Sequence, residues 1–317
     1  MRAWIGVDIG GTNIKIAAVS DDGRVLARGL VETPAGEGPA RAFGRIHDAA
    51  RYLAGRLSIG GVGIGCAGLI DVRRGILHES PNLPAWRNAP LARIARSHFR
   101  LPIVVENDAT SAAFGESFVR GERGRDLVFI TLGTGVGGGI VAGGRVVRGV
   151  SGFAGEIGHL TVDPDGPRCR CGSRGCLEAY AGAYGIVRAA REAAVARGWK
   201  RAHRLSGRGV TARDVLEAAR RGDAVGRAAA REAGEHLGIA VASMLNVLNP
   251  SAVVIGGGVA GGYDALKPHV RRMIARYAFA DTARAARIEP SRLGNDAAVV
   301  GAAMLARLET RPSRKTR

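Results

Sequence analysis

The stretch WIGVDIGGTNIKIAAVSDDGRVLARGLV, residues 4–31, decides the fold class. It sets apolar runs between turn residues: a strand from Ala3 to Asp8, a Gly10-Gly11-Thr12 turn, a second strand from Ile14 to Val19, an Asp21-Asp22-Gly23 hairpin turn and a third strand. This is an antiparallel β-meander. The pattern returns after Asp126, with a strand Leu127 to Leu132, the turn Gly133-Thr134-Gly135, a strand Gly139 to Ala142, the turn Gly143-Gly144 and then Arg145-Val146-Val147-Arg148-Gly149. That last run echoes Arg24-Val25-Leu26-Ala27-Arg28-Gly29. A supersecondary unit that occurs twice implies duplicated lobes, and a cleft between lobes is a natural ligand site.

Between the meanders the sequence reads as a helix (Ala40 to Leu57), a buried strand (Gly61 to Cys66), a loop at Pro81-Asn82-Leu83-Pro84, a helix near Leu91 to Phe99 and a strand Ile103 to Val105. Three helical stretches follow at about 183–197, 211–220 and 224–248, then the strand Ala252 to Ile255. A final helix, Ala297 to Leu308, is expected to return to the first lobe. The expected fold is α/β: two ribonuclease-H-like lobes of the actin-like ATPase kind. One comprises residues 1–107 plus about 295–317, the other 108–294. The tail Glu309 to Arg317 reads as disordered.

Composition bounds the function. At 317 residues the chain is long enough for two lobes, and 46% hydrophobic residues with 48 glycines suit a globular protein rich in tight turns. No apolar run reaches about 18 residues, so no membrane association is expected, and the reading is cytoplasmic. The net charge of +18 could attract a polyanion. However, lysine supplies only Lys15, Lys200, Lys267 and Lys315, and the arginines are scattered, so no specific nucleic-acid partner is expected.

The chemistry-bearing residues cluster in motifs. Asp8 stands at a strand end before Gly10 and Gly11, whose backbone N–H groups can approach a phosphate without a Cβ in the way. The GxxxxGK[ST] loop is absent. Gly133, Gly135 and Gly138 give GxGxxG, but strand, not helix, follows, so a dinucleotide fingerprint is excluded. Glu106-Asn107-Asp108 lies where a strand runs into an Ala-rich helix. Read alone, Asp108 serves equally well as a general base for a hydroxyl or as the cap of that helix. His159, Cys169, Cys171 and Cys176 form a Cys₃His set that fits tetrahedral, structural zinc in a reducing compartment. Glu156 and Glu178 offer carboxylates beside it.

Taken in order, DIGGT at 8–12, CAG at 66–68, SPNL at 80–83, END at 106–108, TLGTGVGGGI at 131–140, GEIGH at 155–159, CRCGSRGC at 169–176 and GGGV at 256–259 closely resemble the ROK family of repressors and sugar kinases. The resemblance implies ATP-dependent phosphorylation of a hexose, with ATP, Mg²⁺ and a structural Zn²⁺. By it, Asp108 is the catalytic base, and Asn82, Asn107, Glu156, His159 and Glu178 contact the sugar. His159, Cys169, Cys171 and Cys176 bind zinc. Asp8, Gly10, Gly11, Thr12, Thr134 and Gly135 serve the phosphates, and Gly256, Gly257 and Gly258 the adenosine. Many members carry Lys directly after the residue matching Thr12; here Asn13-Ile14-Lys15 stands instead, and Lys15 receives no role. The NLPAW stretch at 82–86 favours glucose, with N-acetylglucosamine, N-acetylmannosamine and fructose as alternatives and polyphosphate as an alternative donor. The expected assembly is a homodimer or larger homo-oligomer. A sugar-responsive repressor is the rival from another class, but with the phosphate turn at residue 8 a preceding DNA-reading helix pair is not expected.

Overall fold

The computed structural model describes residues 1–199 and 203–310. The chain forms two compact units: Met1–Phe129 with Gly139–Gly155 and the chain from Arg292 onward, and Ile130–Gly138 with Glu156–Ser291. The first unit therefore extends past the 107/108 division expected from the sequence.

The first unit opens with β1 (Arg2–Ile9), β2 (Asn13–Ser20) and β3 (Val25–Glu32), which pair antiparallel as a meander. Then come α1 (Pro39–Ala54), β4 (Ser58–Cys66), the short antiparallel pair β5 (Leu69–Asp71) and β6 (Ile76–Glu79), α2 (Leu91–His98), β7 (Ile103–Asn107) and α3 (Asp108–Arg120). β4 pairs parallel with β1, and β7 parallel with β4, giving the sheet order β3-β2-β1-β4-β7. Strands as short as β5 and β6 carry too few residues to show a periodicity in the sequence.

The second meander consists of β8 (Leu127–Leu132), β9 (Val136–Ala142) and β10 (Arg145–Val146). Its third strand stops after two residues, well short of the Arg145-to-Gly149 run that echoed the first meander. Strands β8 and β9 carry the chain from one unit into the other.

In the second unit follow α4 (Glu178–Ala181), α5 (Ala183–Ala196), α6 (Ala212–Arg220), α7 (Ala224–Leu248), β11 (Ala252–Gly256), α8 (Tyr263–Tyr277), α9 (Ala280–Ala285) and β12 (Arg287–Pro290). The sheet order is β10-β9-β8-β11-β12, with β12 parallel to β11. α7 begins at Asp223, whose carboxylate accepts from Val225 N and Gly226 N, and ends at Asn249 in the left-handed conformation. The helices after β11 and the edge strand β12 are additions to what the sequence pattern suggested. Among the described residues no helix is long and apolar enough to cross a membrane.

The last helix, α10 (Ala297–Thr310), belongs to the first unit, and Glu309 and Thr310 close it. The sequence pattern assigns both to a disordered tail, and here they are helical; residues 311–317 of that tail lie outside the described residues. Alternation along β1 sends Ile5, Val7 and Ile9 to one face of the sheet, against Phe43 and Ile46 of α1. Trp4 lies in the opposite core with Phe114 of α3 and Val299, Val300 and Met304 of α10.

On that second face the backbone of α10 comes unusually close. A Cβ placed on Gly6 would sit 1.9 Å from Val299 O, one on Gly63 1.8 Å from Ala302 O, and one on Gly301 1.7 Å from Ser111 O of α3. Glycine is required at each of these positions by space. Overpacking ordinarily costs about 1–3 kcal/mol, and here the obstacle is backbone that cannot rotate away. Gly63→Ala should therefore lower stability by at least about that much, read as a reduced urea midpoint. An unchanged midpoint would show that α10 can move off the sheet at no cost.

Candidate active site

The parallel register of the first sheet brings three motifs to one level. Ile9 of β1 pairs with Cys66 of β4, and Cys66 with Asn107 of β7. The DIGGT turn, the CAG segment and the END motif thus all leave the carboxyl edge of the sheet together, where ligands collect in α/β folds. The electrostatics agree with that placement. Burial pushes the Cys66 thiol far above its usual range, and the carboxylates of Asp108 and Asp8 push it further. Cys66 is thus a neutral thiol close to both acids.

The glycine turn is braced from below. Thr33 Oγ1 donates to Gly10 O at 2.8 Å, and Thr33 N to Thr12 O at 2.9 Å. Gly11 lies against Asn82, since a Cβ there would meet Asn82 O at 2.9 Å. The phosphate turn and the SPNL loop are therefore packed together. Asp8 and Lys15 are direct cross-strand partners, and Lys15 Nζ lies 3.2 Å from Asp8 Oδ2. The lysine displaced by two positions in the sequence thus returns its charge to the same turn.

At the END motif the roles divide differently from expectation. The cap of α3 is Asn107, not Asp108. Asn107 still holds extended backbone at φ −65° and ψ 146°, which a capping residue needs, and its Oδ1 accepts from Ala109 N at 2.9 Å and Thr110 N at 3.0 Å. Its Nδ2 donates to Gly68 O at 3.2 Å. Asp108 is the first helical residue, and its Oδ1 also accepts from Ala109 N at 2.9 Å. The helix N-terminus favours the charged carboxylate there.

Glu106, which the sequence reading left without a role, is buried at the same junction. Its Oε1 accepts from Asn107 N at 3.0 Å and its Oε2 takes Arg148 Nε at 2.7 Å. Burial raises its carboxyl above the ordinary value and the Arg148 charge opposes that rise. A charged residue inside an otherwise apolar strand was the available signal.

In the second unit, GEIGH and the cysteine loop surround the β8–β9 turn. A Cβ on Gly158 would fall 1.9 Å from Val136 O, and one on Gly135 2.1 Å from Glu178 Oε2. Val136 N donates to Glu178 Oε2 at 3.0 Å, and Tyr184 OH donates to Glu178 Oε1 at 3.4 Å. Glu178 therefore ties the Thr134-Gly135 turn to the cysteine loop. Gly257 has φ +91° and room for no side chain, with Leu132 O 2.3 Å from where a Cβ would be. The Gly256-Gly258 segment accordingly adjoins the end of β8, and Val259 N donates to Leu132 O at 2.9 Å. Burial raises the Glu156 carboxyl, with His159 opposing and Glu178 adding.

The donor atoms of His159, Cys169, Cys171 and Cys176 lie within 4.8 Å of one another. Cys171 Sγ and Cys176 Sγ are 3.7 Å apart, and Cys169 Sγ and His159 Nδ1 3.9 Å. The sulfur spacing is far beyond a disulfide bond of about 2.05 Å. Tetrahedral zinc with Zn–S of about 2.3 Å spaces its sulfurs at about 3.8 Å, so the donor set and spacing fit that ion. With Nδ1 turned to the sulfurs, His159 keeps Nε2 for another partner.

The ROK family signature matches residues 4–309. Over 313 residues the chain is 39% identical to a glucokinase of Halalkalibacterium halodurans, covering 96% of this chain and 94% of that protein. A glucokinase of Streptomyces coelicolor is 38% identical, over 97% of this chain and 98% of its own. A solved ROK family glucokinase of Streptomyces griseus, in complex with glucose and AMPPNP, matches with a TM-score of 0.79 at 37% identity, covering 96% and 99% of the two chains.

This chain belongs to the ROK family. The expected two-domain actin-like ATPase fold is the fold of its structural relatives. Within the END motif, the two hydrogen bonds that Asn107 Oδ1 accepts give a measurable expectation. Asn107→Ala should cost about 1 kcal/mol of stability by loss of the cap, and more through the lost bond to Gly68 O, whereas Asn107→Ser keeps a capping oxygen and should lose less. Equal denaturation midpoints for the two variants would count against this assignment.

Proposed function

We propose that this chain is a glucokinase, transferring the γ-phosphoryl group of ATP to a hydroxyl of glucose. The similarity to glucokinases along nearly the whole chain carries this reading. The strand-end constellation around Asp108 gives it a chemistry.

In the proposed reaction the sugar hydroxyl gives its proton to the Asp108 carboxylate. Its oxygen forms a bond to the γ-phosphorus while the bond to the bridging oxygen breaks and ADP leaves. Phosphoryl transfer needs chiefly positioning and charge stabilisation. Asp108 suits the base role because it is the first residue of α3 and its Oδ1 is oriented by Ala109 N. Asn82, Asn107, Glu156, His159 through Nε2, and Glu178 are assigned to the sugar. Asn107 and Glu178 act largely through the backbone they hold, given their bonds to Ala109, Thr110 and Val136.

ATP enters with its Mg²⁺ as the substrate complex. Gly11, Thr12, Thr134 and Gly135 present backbone N–H groups to its phosphates, while Gly10, whose own N–H is bonded to Asn13 O at 3.1 Å, shapes the first turn beside Asp8 and Lys15, and Gly256 to Gly258 receive the adenosine. Zinc at His159, Cys169, Cys171 and Cys176 would hold the loop bearing Glu178, leaving no open position for catalysis.

Kinetic and metal measurements test this reading. Asp108→Asn keeps an oxygen for Ala109 N but removes the base, so kcat should fall at least about 10²- to 10⁴-fold with glucose affinity little changed. Near-wild-type turnover would take the catalytic role from this residue, and a panel of hexoses with ATP or polyphosphate should rank glucose with ATP highest in kcat/KM. Elemental analysis of the purified protein should find one zinc per chain. Cys171→Ser should lose that metal and lower both Tm and sugar affinity; a protein free of zinc would end the structural-metal assignment.

A further inference from the structure

Glu106 is a costly residue for its place. Its side chain is 2% exposed, it lies one residue before the cap of α3, and a buried charge there needs full compensation. It receives two partners. Asn107 N donates to Oε1 at 3.0 Å, and Arg148 Nε to Oε2 at 2.7 Å. Arg148 in turn reaches Glu309, in the last turn of α10, through Nη2.

These bonds form a continuous line through the first unit. The end of α10 holds Arg148, Arg148 holds Glu106, and Glu106 holds the main chain of Asn107. Asn107 then caps α3 and sets the first helical residue, Asp108. An apolar residue at position 106 would avoid the desolvation cost but would leave Asn107 N without its acceptor.

We propose that Glu106 and Arg148 are positioning residues for Asp108, their ion pair fixing the β7–α3 junction at the place where the base must stand. This rests on the reading of Asp108 as the base.

The test separates positioning from plain stability. Arg148→Met leaves the Glu106 charge unpaired and frees the junction; a misplacement of about 1 Å can cost about 10²-fold in rate. Its kcat should fall about 10- to 100-fold while KM for glucose changes little, with Arg148→Lys recovering part of the loss. The double variant E106M/R148M removes the buried carboxylate together with its half-buried partner, leaving only the partly exposed Glu309 without Arg148, and such replacements are often tolerated by the fold. Positioning predicts that it stays folded, at a Tm somewhat below wild type, and still shows the lowered kcat, because Asn107 N has lost its acceptor. E106Q/R148M, which keeps an oxygen for that N–H, should turn over faster than E106M/R148M. Wild-type kcat in folded E106M/R148M overturns the proposal and leaves the pair a purely structural one. If R148M alone is too unstable to assay, the two double variants decide. Asp108→Asn is measured in parallel. Full activity there removes the base reading itself, whereas an inactive Asp108→Asn beside a fully active E106M/R148M removes only the positioning role.

Discussion

The first unit depends on how closely the backbone of α10 can lie against the sheet and against α3. Glycines at 6, 63 and 301 bring carbonyl groups to within 2 Å of where side chains would otherwise be. Dense contact of this kind leaves no slack, so the height of β1 and β4 relative to the helices is fixed by sterics and not by side-chain preference. The register then does the rest. Once β1, β4 and β7 are parallel with Ile9, Cys66 and Asn107 in line, three separate motifs reach the same edge. A shift by one residue would turn Asp8 and Glu106 to the other face of the sheet.

Charge organises the same unit at a second level. Glu116 and Arg120 pair within α3 with almost no exposure, and Glu116 also accepts from Arg292 N and Leu293 N just ahead of α10. Arg28 pairs with Asp296 next to the start of α10, and Arg148 with Glu309 at its end. The two arginines matched in the sequence echo thus serve opposite ends of one helix. A planar, permanently charged guanidinium suits such shared carboxylates better than an ammonium. The arginine-rich composition is therefore partly used inside the fold, which is why a net charge of +18 says little about a polyanionic partner.

What the sequence disclosed follows from what is local. The first meander, the turn at Gly133-Thr134-Gly135 and the helices from Ala183 to Leu248 rest on periodicity and turn residues, and they were legible. The short strands β5 and β6 and the truncated β10 were not, because two to four residues cannot show a period. The Cys₃His set was legible as a spacing. The division of labour at Asn107 and Asp108 was not. Which of two adjacent cap-forming residues begins a helix depends on where the strand before it ends, and pairing with β4 sets that point. Glu106 and Arg148 are 42 residues apart, a distance over which no local pattern operates.

The cysteine loop shows the opposite balance to α10. The cluster at its cysteines holds only Cys169, Cys176 and Ala179, with Tyr184 packed against it, little apolar surface to order the residues between His159 and Cys176. Backbone bonds pin its base, Leu177 N to Leu160 O and Val162 N to Gly175 O, and Tyr180 OH reaches Asp163 at 2.6 Å. Those bonds are exchanged with water on unfolding and contribute modestly. A metal at the four donors would supply what packing does not, because site formation and loop folding become one event. With the metal bound, Glu178 would inherit its position from it and, through Val136 N, would pass that position to the turn at Thr134-Gly135. On this argument the proposed zinc sets the geometry of a proposed phosphate turn without touching any reacting atom, and its loss would be felt by both substrates.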